Sequence, residues 1–223
     1  MPTRIARGRL EPRKAPRQLR STRMVEAIVE AAARILETRG LAGFNTNAVA
    51  ERAGVSVGSL YQYFPSKEAL YVAVLERTLK LWYEAIPHAT PGVTPQAFLK
   101  QYIRAKLAFS KMHPRLSRIF ANEALNGAPV IRAHIKTEMA AALDTLVTLV
   151  KGWRSAGAIR AIDPMHLVFM IWAMTQHYAD AAAQLEILLG KRQLDDADFR
   201  AAEQTIVRLV FGALGIEDSA GKA

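Results

Sequence analysis

Three features of this sequence predict an all-α fold. From Met24 to Leu214 apolar residues recur at helical spacing almost without interruption. The stretches so patterned are bounded by capping side chains, glycines or prolines where helices start and stop. No segment alternates apolar and polar residues as a half-buried strand would, and no internal repeat is present.

The first helix is expected from Met24, with Val25, Ile28, Val29, Ala32, Ile35 and Leu36 forming one apolar stripe. Gly40 ends it, and Arg39 sits in its last turn, where a cation suits the helix dipole. Asn45 is a good N-cap for a second helix through Ala48, Val49, Ala50 and Ala53, which Gly54 breaks. Ser56 caps a short third helix carrying Leu60, Tyr61 and Phe64, stopped by Pro65. Ser66 opens a fourth, with Glu68 near its positive end, running through Leu70, Val74, Leu75, Leu79 and Trp82 to Pro87. After a loop over 88–95, longer helices are expected over 96–112, 114–125 and 129–155. Asp163 with Pro164 opens another to Leu189, and Asp195 or Asp196 opens the last, to Leu214.

Composition narrows the function classes. The chain has 223 residues, 51% of them hydrophobic, long enough to bury a core without staples. It has no Cys, which excludes disulfides, thiolate metal sites and Cys nucleophiles. No apolar run is long enough to span a membrane, and the charged N-terminus lacks the apolar stretch of a secretory signal. A cytoplasmic protein is expected.

The net charge of +10 is unevenly placed. Residues 1–23 hold eight cations against Glu11, a net +7, which leaves +3 for the other 200 residues. With three prolines and hardly any apolar periodicity, residues 1–22 are expected to form a disordered basic arm. Such an arm suits a polyanion, nucleic acid ahead of membrane, or serves as a solvated tail. Residues 24–70 carry four cations against five glutamates, a net −1, so phosphate neutralisation falls to the arm. The expected division is the arm over 1–22, a head over 23–70 and a larger helical body over 71–218.

The head has the internal logic of a helix-turn-helix. Ala50 and Ala53 allow two helices to cross closely, Val49, Val55 and Leu60 pin them, and Gly54 permits the turn. Ser56, Val57, Gly58 and Ser59 then offer small side chains at the start of the second helix, where base edges would lie. The run Thr46-Asn47-x-Val49-Ala50-x-x-Ala53-Gly54-Val55-Ser56-x-Gly58-Ser59-Leu60-Tyr61-x-Tyr63-Phe64-x-x-Lys67-Glu68-Ala69-Leu70 resembles the DNA-binding domain of the TetR family of bacterial repressors. The resemblance implies that Tyr61, Tyr63 and Lys67 hold phosphates, while Thr46, Val57, Ser59 and Gln62 face the major groove. Residue chemistry agrees, since tyrosine and lysine reach phosphate oxygens and glutamine pairs with adenine. Phe64 reads as a core aromatic, and Gln62 stays open between a base contact and a solvated side chain.

A reading head of this kind works as a symmetric dimer on a palindromic operator in double-stranded DNA. Leu167, Ile171, Met174, Tyr178 and the alanines 181–183 could bundle with Ile206, Leu209, Val210 and Leu214 across a two-fold axis, so a homodimer through the last two helices is expected. Burial of these residues within one chain is the alternative. A second resemblance rests on Phe120-Ala121-Asn122-Glu123-x-x-x-Gly127-Ala128-Pro129, Asp163-Pro164-x-His166-Leu167 and Ile171-Trp172-Ala173-x-Thr175-Gln176-His177-Tyr178-Ala179-Asp180. These runs are similar to the TetR-family regulators of pyrimidine utilisation, which respond to uracil and thymine. That resemblance places Trp82, Trp172 and Gln176 in an effector pocket. A planar base stacks on indoles, and its imide edge suits an amide that donates and accepts. Asn122 and Thr175 are further candidate polar contacts, while His177, Tyr178 and Asp180 read as an interface or an internal network.

Catalysis is not expected. The five histidines at 88, 113, 134, 166 and 177 form no metal-binding pair on one helix face, and no phosphate loop or serine elbow is present. No cofactor or metal is called for. The reading is a one-component transcriptional regulator, a repressor in sign, responding to a small planar ligand such as uracil or thymine. Its alternatives are the same type of regulator with an unrelated effector, and a nonspecific architectural DNA-binding protein.

Overall fold

A computed structural model describes residues 16–217 apart from 89 and 91. The described residues form helices and no strand. The expected arm lies outside the described residues up to 15, and residues 16–22 belong to the first helix, α1 (Pro16–Arg39). This helix starts earlier than Met24 because Pro16 suits a first helical turn and Arg, Gln and Leu are strong helix formers.

The head follows the expected pattern. In α2 (Thr46–Ala53) the N-cap Asn45 accepts from the Ala48 amide at 2.9 Å. Gly54 ends the helix at φ +68°, a left-handed turn that costs other residues more, and Val55 N–H returns to Ala50 O. In α3 (Val57–Tyr63) the N-cap Ser56 accepts from Ser59 N at 3.0 Å, and in α4 (Lys67–Ala85) Ser66 accepts from Ala69 N at 3.1 Å. Val49 and Leu60 are fully buried, Val55 half-buried, and Phe64 is a core residue. They join Ile28, Leu36, Leu70 and Val74 in one apolar cluster.

The body adds α5 (Pro95–Met112), α6 (Pro114–Leu125), α7 (Arg132–His134), a π-turn over Ile135–Met139, α8 (Ala140–Ser155), α9 (Pro164–Asp180), α10 (Ala182–Leu188) and α11 (Asp196–Leu214). Two expected helices differ. Gly127 and Ala128 take φ +85° and +55°, so the helix expected from Pro129 starts at Arg132 and contains the π-turn. The helix expected to reach Leu189 breaks at Ala181, which leaves α10 as a separate short piece.

A second core gathers Tyr102, Ile103, Trp153, Ile171, Val210 and Leu214 from α5, α8, α9 and α11. Two helices touch both regions. Leu70, Val74 and Leu75 of α4 lie in the head core, and Leu79 and Trp82 lie beyond it. Leu116 and Ile119 of α6 likewise enter the head core, whereas Ser117 and Phe120 also line the space between the two cores.

The residues expected at a dimer interface are largely core. Leu167, Ile171, Ile206, Val210 and Leu214 are buried within the chain, because α5 and α8 already cover that face. The opposite faces of the same helices carry the exposed apolar residues, Met170 at 55% and Leu209 at 60%, with Ile187 of α10 at 80%. No helix among the described residues is long and apolar enough to cross a membrane.

Leu60 is the one α3 side chain wholly inside the head core. Leu60→Ala should therefore cost roughly 2–5 kcal/mol, read as a lower midpoint in denaturant titration. A cost under about 1 kcal/mol would mean that α3 is not anchored through this residue.

Candidate nucleic-acid interface and ligand cavity

The head displays one polar surface built from three helix starts. Asn47 of α2, Gly58, Tyr61 and Gln62 of α3, and Lys67 of α4 are exposed. Thr46 and Tyr61 meet across the turn, hydroxyl to hydroxyl at 3.4 Å, which ties the start of α2 to the side of α3. Ser56 is exposed but engaged in capping, and its hydroxyl also lies 2.8 Å from that of Ser59. Val57 and Tyr63 are half-buried against the head core, so each offers an edge rather than a whole side chain. Lys67 holds its ammonium 5.6 Å from the centre of the Phe44 ring.

Gly58 is informative because the protein itself does not require it. A Cβ there would meet nothing closer than Ser56 Oγ at 3.9 Å, and its backbone is ordinary helix. The missing side chain therefore leaves room on the outer surface, as a close approach by a phosphate backbone needs. Glu68 at the start of α4 has a carboxyl held below its usual range, first by its backbone hydrogen bond and then by Ser66.

A small cavity of about 50 Å³ lies between the two cores, where α4, α5, α6 and α9 converge. Trp82, Trp172 and Gln176 line it together. The two indoles meet edge to face, with centroids 6.0 Å apart at 74°. Trp172 Nε1 donates to the buried Tyr102 hydroxyl at 2.5 Å, which fixes its ring, and burial pushes the Tyr102 phenol well above its ordinary range. Met139, from the π-turn, closes one side.

Two of the expected ligand contacts lie elsewhere. Thr175 is fully buried and outside the lining; its hydroxyl donates to Ile171 O at 2.7 Å and its carbonyl accepts from Ser110. It lies three positions after Trp172, enough rotation to turn it from the cavity into the helix contact with α5. Asn122 is exposed in a groove with Arg39, Arg115 and Arg118, and accepts from Asn126. It lies two positions after the cavity-lining Phe120, about 200° round α6, and so faces away from the cavity.

Lys106 was not expected here and dominates the site. It is 5% exposed, with its ammonium 4.3 Å from the Trp82 ring centre and 5.6 Å from that of Trp172. Among the described residues it has no hydrogen-bonding or ion-pair partner. Burial lowers its pKa to about 7, and the charge of Asp180 pulls it partly back up. Its signal is present in the sequence: Leu99, Tyr102, Ile103, Lys106, Leu107 and Ser110 make one helical stripe, with a charge inside it. Asp180, part of whose surface is exposed, accepts from Ser117 Oγ at 3.4 Å; desolvation of the rest raises its pKa, opposed by Ser117 and the nearby Gln176 amide. No group of three His, Asp or Glu side chains among the described residues could hold a metal ion.

Comparisons with known proteins place this geometry. Residues 28–74 match the family described as bacterial regulatory proteins, tetR family, and residues 75–217 match the C-terminal region of YcdC-like proteins. The chain is 40% identical over 185 residues to the HTH-type transcriptional regulator RutR of Escherichia coli strain K12, covering 83% of this chain and 87% of RutR. The solved structure of Salmonella enterica GusR is 18% identical, with a TM-score of 0.65 over 86% of this chain and 96% of that one. FadR of Bacillus subtilis, solved in complex with stearoyl-CoA, is 17% identical with a TM-score of 0.65, over 85% of this chain and 98% of that one. At those identities the two structures share the fold with this chain.

The Lys106 ammonium bears on stability in a defined pH window. Its folded pKa of about 7 lies below the ordinary 10.5, so the folded state binds fewer protons between those values. The destabilisation is complete below pH 7 and is relieved as pH rises towards 10.5. Lys106→Met should stabilise the ligand-free protein by on the order of 2 kcal/mol at about pH 6 and by less at about pH 9. Thermal melts at the two pH values measure this, and an unchanged midpoint at both would mean that the ammonium is not desolvated.

Proposed function

Because this chain belongs to the TetR family of bacterial regulatory proteins, and so is a DNA-binding transcriptional regulator, we propose that it is a cytoplasmic one-component repressor whose effector is a pyrimidine base such as uracil or thymine. The observation that carries the reading is the position of the cavity. It opens between the two cores on the helix that also carries a phosphate-facing side chain at its other end: Trp82 and Lys67 are both in α4. The fifteen helical steps from one to the other span about 22 Å. A ligand held by Trp82 therefore bears on the helix whose start lies at the DNA surface.

In this reading Tyr61, Tyr63 and Lys67 hold phosphates, with Thr46, Asn47, Ser59 and Gln62 towards the bases and Val57 giving an apolar edge. Ser56 fixes the start of α3, and Gly58 admits the backbone. Two heads act together through a homodimer formed by the outward faces of α9 and α11, where Met170, Ala173 and His177 lie on one stripe and Thr205, Leu209 and Ala213 on another. A base stacks against the indoles and pairs with Gln176, a pairing the pyrimidine-utilisation resemblance supports. Occupation shifts the heads out of register with their half-sites only if the base prefers the non-binding conformation.

Two measurements test this. Calorimetric titration should show saturable uracil or thymine binding, weakened roughly tenfold or more by Trp172→Ala and Gln176→Ala, and the bound base should release operator DNA. No binding of either base would remove the effector assignment and leave the regulator. Deleting residues 1–15, which carry five cations against Glu11, should weaken operator binding. It should also flatten the salt dependence, by about 0.9 in log–log slope for each phosphate that the arm neutralises. An unchanged slope would show that the arm is a solvated tail.

A further inference from the structure

Resting on the effector reading above, we propose that Lys106 and Gln176 read the edge of the effector as a pair, with Asp180 as the residue that positions the Gln176 amide. The site then takes a planar heterocycle in which an oxo oxygen stands next to a ring N–H.

The Lys106 ammonium has no acceptor among the described residues. An ammonium carries three donors and no acceptor. Here it is buried against two indole faces, which offset part of its charge but accept none of its hydrogens in the ordinary sense. Buried polar groups are hydrogen-bonded in nearly all folded proteins, so an unpaired ammonium lining a cavity marks the place of a missing acceptor. A neutral carbonyl or a partly anionic oxo oxygen on the ligand supplies one. An apolar ligand, or one presenting an amino group there, leaves the cation unsatisfied.

Gln176 supplies the opposite polarity for a reason outside itself. It lies one turn before Asp180 on α9, its amide acting on that carboxylate as a donor group. A carboxylate only accepts, so the amide must turn its NH₂ to Asp180, which leaves its carbonyl oxygen for the cavity. Asp180 also accepts from Ser117 of α6 at 3.4 Å and feels the charge of Arg118, contacts that come from the protein and not from the ligand. A bare amide can bind either edge by flipping. An amide held by Asp180 accepts a hydrogen and rejects a lone pair. The cavity thus presents a donor on α5 and an acceptor on α9, and the matching ligand edge is acceptor beside donor.

The pairing has a consequence that a merely structural lysine would not produce. Burial lowers the Lys106 pKa to about 7, and Asp180 is the charged group acting on it. The α4 residues facing it, Thr78 and Trp82, carry no charge. An oxo oxygen against the ammonium favours the protonated form, so binding near pH 8 draws a proton from the buffer.

The test uses the full chain, uracil and 1,3-dimethyluracil, in calorimetry at about pH 8 in two buffers of different ionisation enthalpy. Uracil should bind the wild type with proton uptake. 1,3-Dimethyluracil, which keeps both oxo groups and no ring N–H, should bind roughly tenfold weaker or worse. Lys106→Met should bind uracil roughly tenfold more weakly and without uptake. Asp180→Asn should weaken uracil several-fold and leave 1,3-dimethyluracil unchanged. Lys106→Gln serves in place of the methionine variant if that one fails to fold. If Lys106→Met binds uracil as the wild type does, or 1,3-dimethyluracil binds as tightly as uracil, the proposal falls while the effector reading stands. If the wild type binds neither uracil nor thymine, the effector reading falls first and takes this one with it.

Discussion

Lys106 stands on the apolar stripe of α5, between two indoles and, among the described residues, with no carboxylate at ion-pair distance. Much of the middle of the molecule follows from accommodating it. A buried ammonium is tolerable only with polarisable faces around it and some residual access to a polar partner. Trp82 and Trp172 supply the faces, and each is held from elsewhere: Trp172 by the Tyr102 hydroxyl, Trp82 by the edge of Tyr83 at 5.1 Å. Ser110 and Ser117 add polar lining where a fully apolar wall would raise the penalty.

That cavity sits between two cores rather than inside one, which makes it a joint. α4 and α6 each contribute one face to the head core and another to the cavity. Two further contacts link α1 to the rest. Glu30 pairs with Arg77 of α4, and Glu37 lies 3.3 Å from His113, at the corner between α5 and α6. Both pairs are partly exposed and contribute little stability of their own. Their effect is geometric, because α1 packs across α2 and α4 and so carries the whole head with it.

Much of this is legible in the sequence and some is not, for definite reasons. The head can be read residue by residue because each turn is enforced locally, by Asn45, Gly54, Ser56 and Ser66. The body helices are visible from their stripes, but nothing about Ala128 announces that it follows Gly127 into positive φ. Trp82, Trp172 and Gln176 converge as the resemblance implies. Thr175 misleads because Trp172 and Gln176 on either side of it line the cavity, and one helical step is enough to turn a side chain into a helix contact. Asn122 shares a helix with two cavity residues but occupies its other face. The apolar stripes of α9 and α11 point to the inner side rather than the exposed one, since a helix apolar around its circumference does not reveal which side its own chain covers. Lys106 escapes notice because a lysine in a helix reads as solvated unless its position in the stripe is counted.

The joint also fixes the logic of regulation. In the proposed reading the start of α4 meets DNA and its far end lines the cavity, so both ligands would act on one element of nineteen residues. If a base favours one setting of α4 and the operator the other, each must weaken the binding of the other by the same factor. A coupling of 1–3 kcal/mol, about 5- to 150-fold, suffices for such a switch. It does not need a large motion, only that the cavity fit differently in the two settings. A cavity with one cation awaiting an acceptor and one amide awaiting a donor is well suited to that. Hydrogen-bond distances are short and steep, so a shift too small to disturb apolar packing is enough to make or break both contacts.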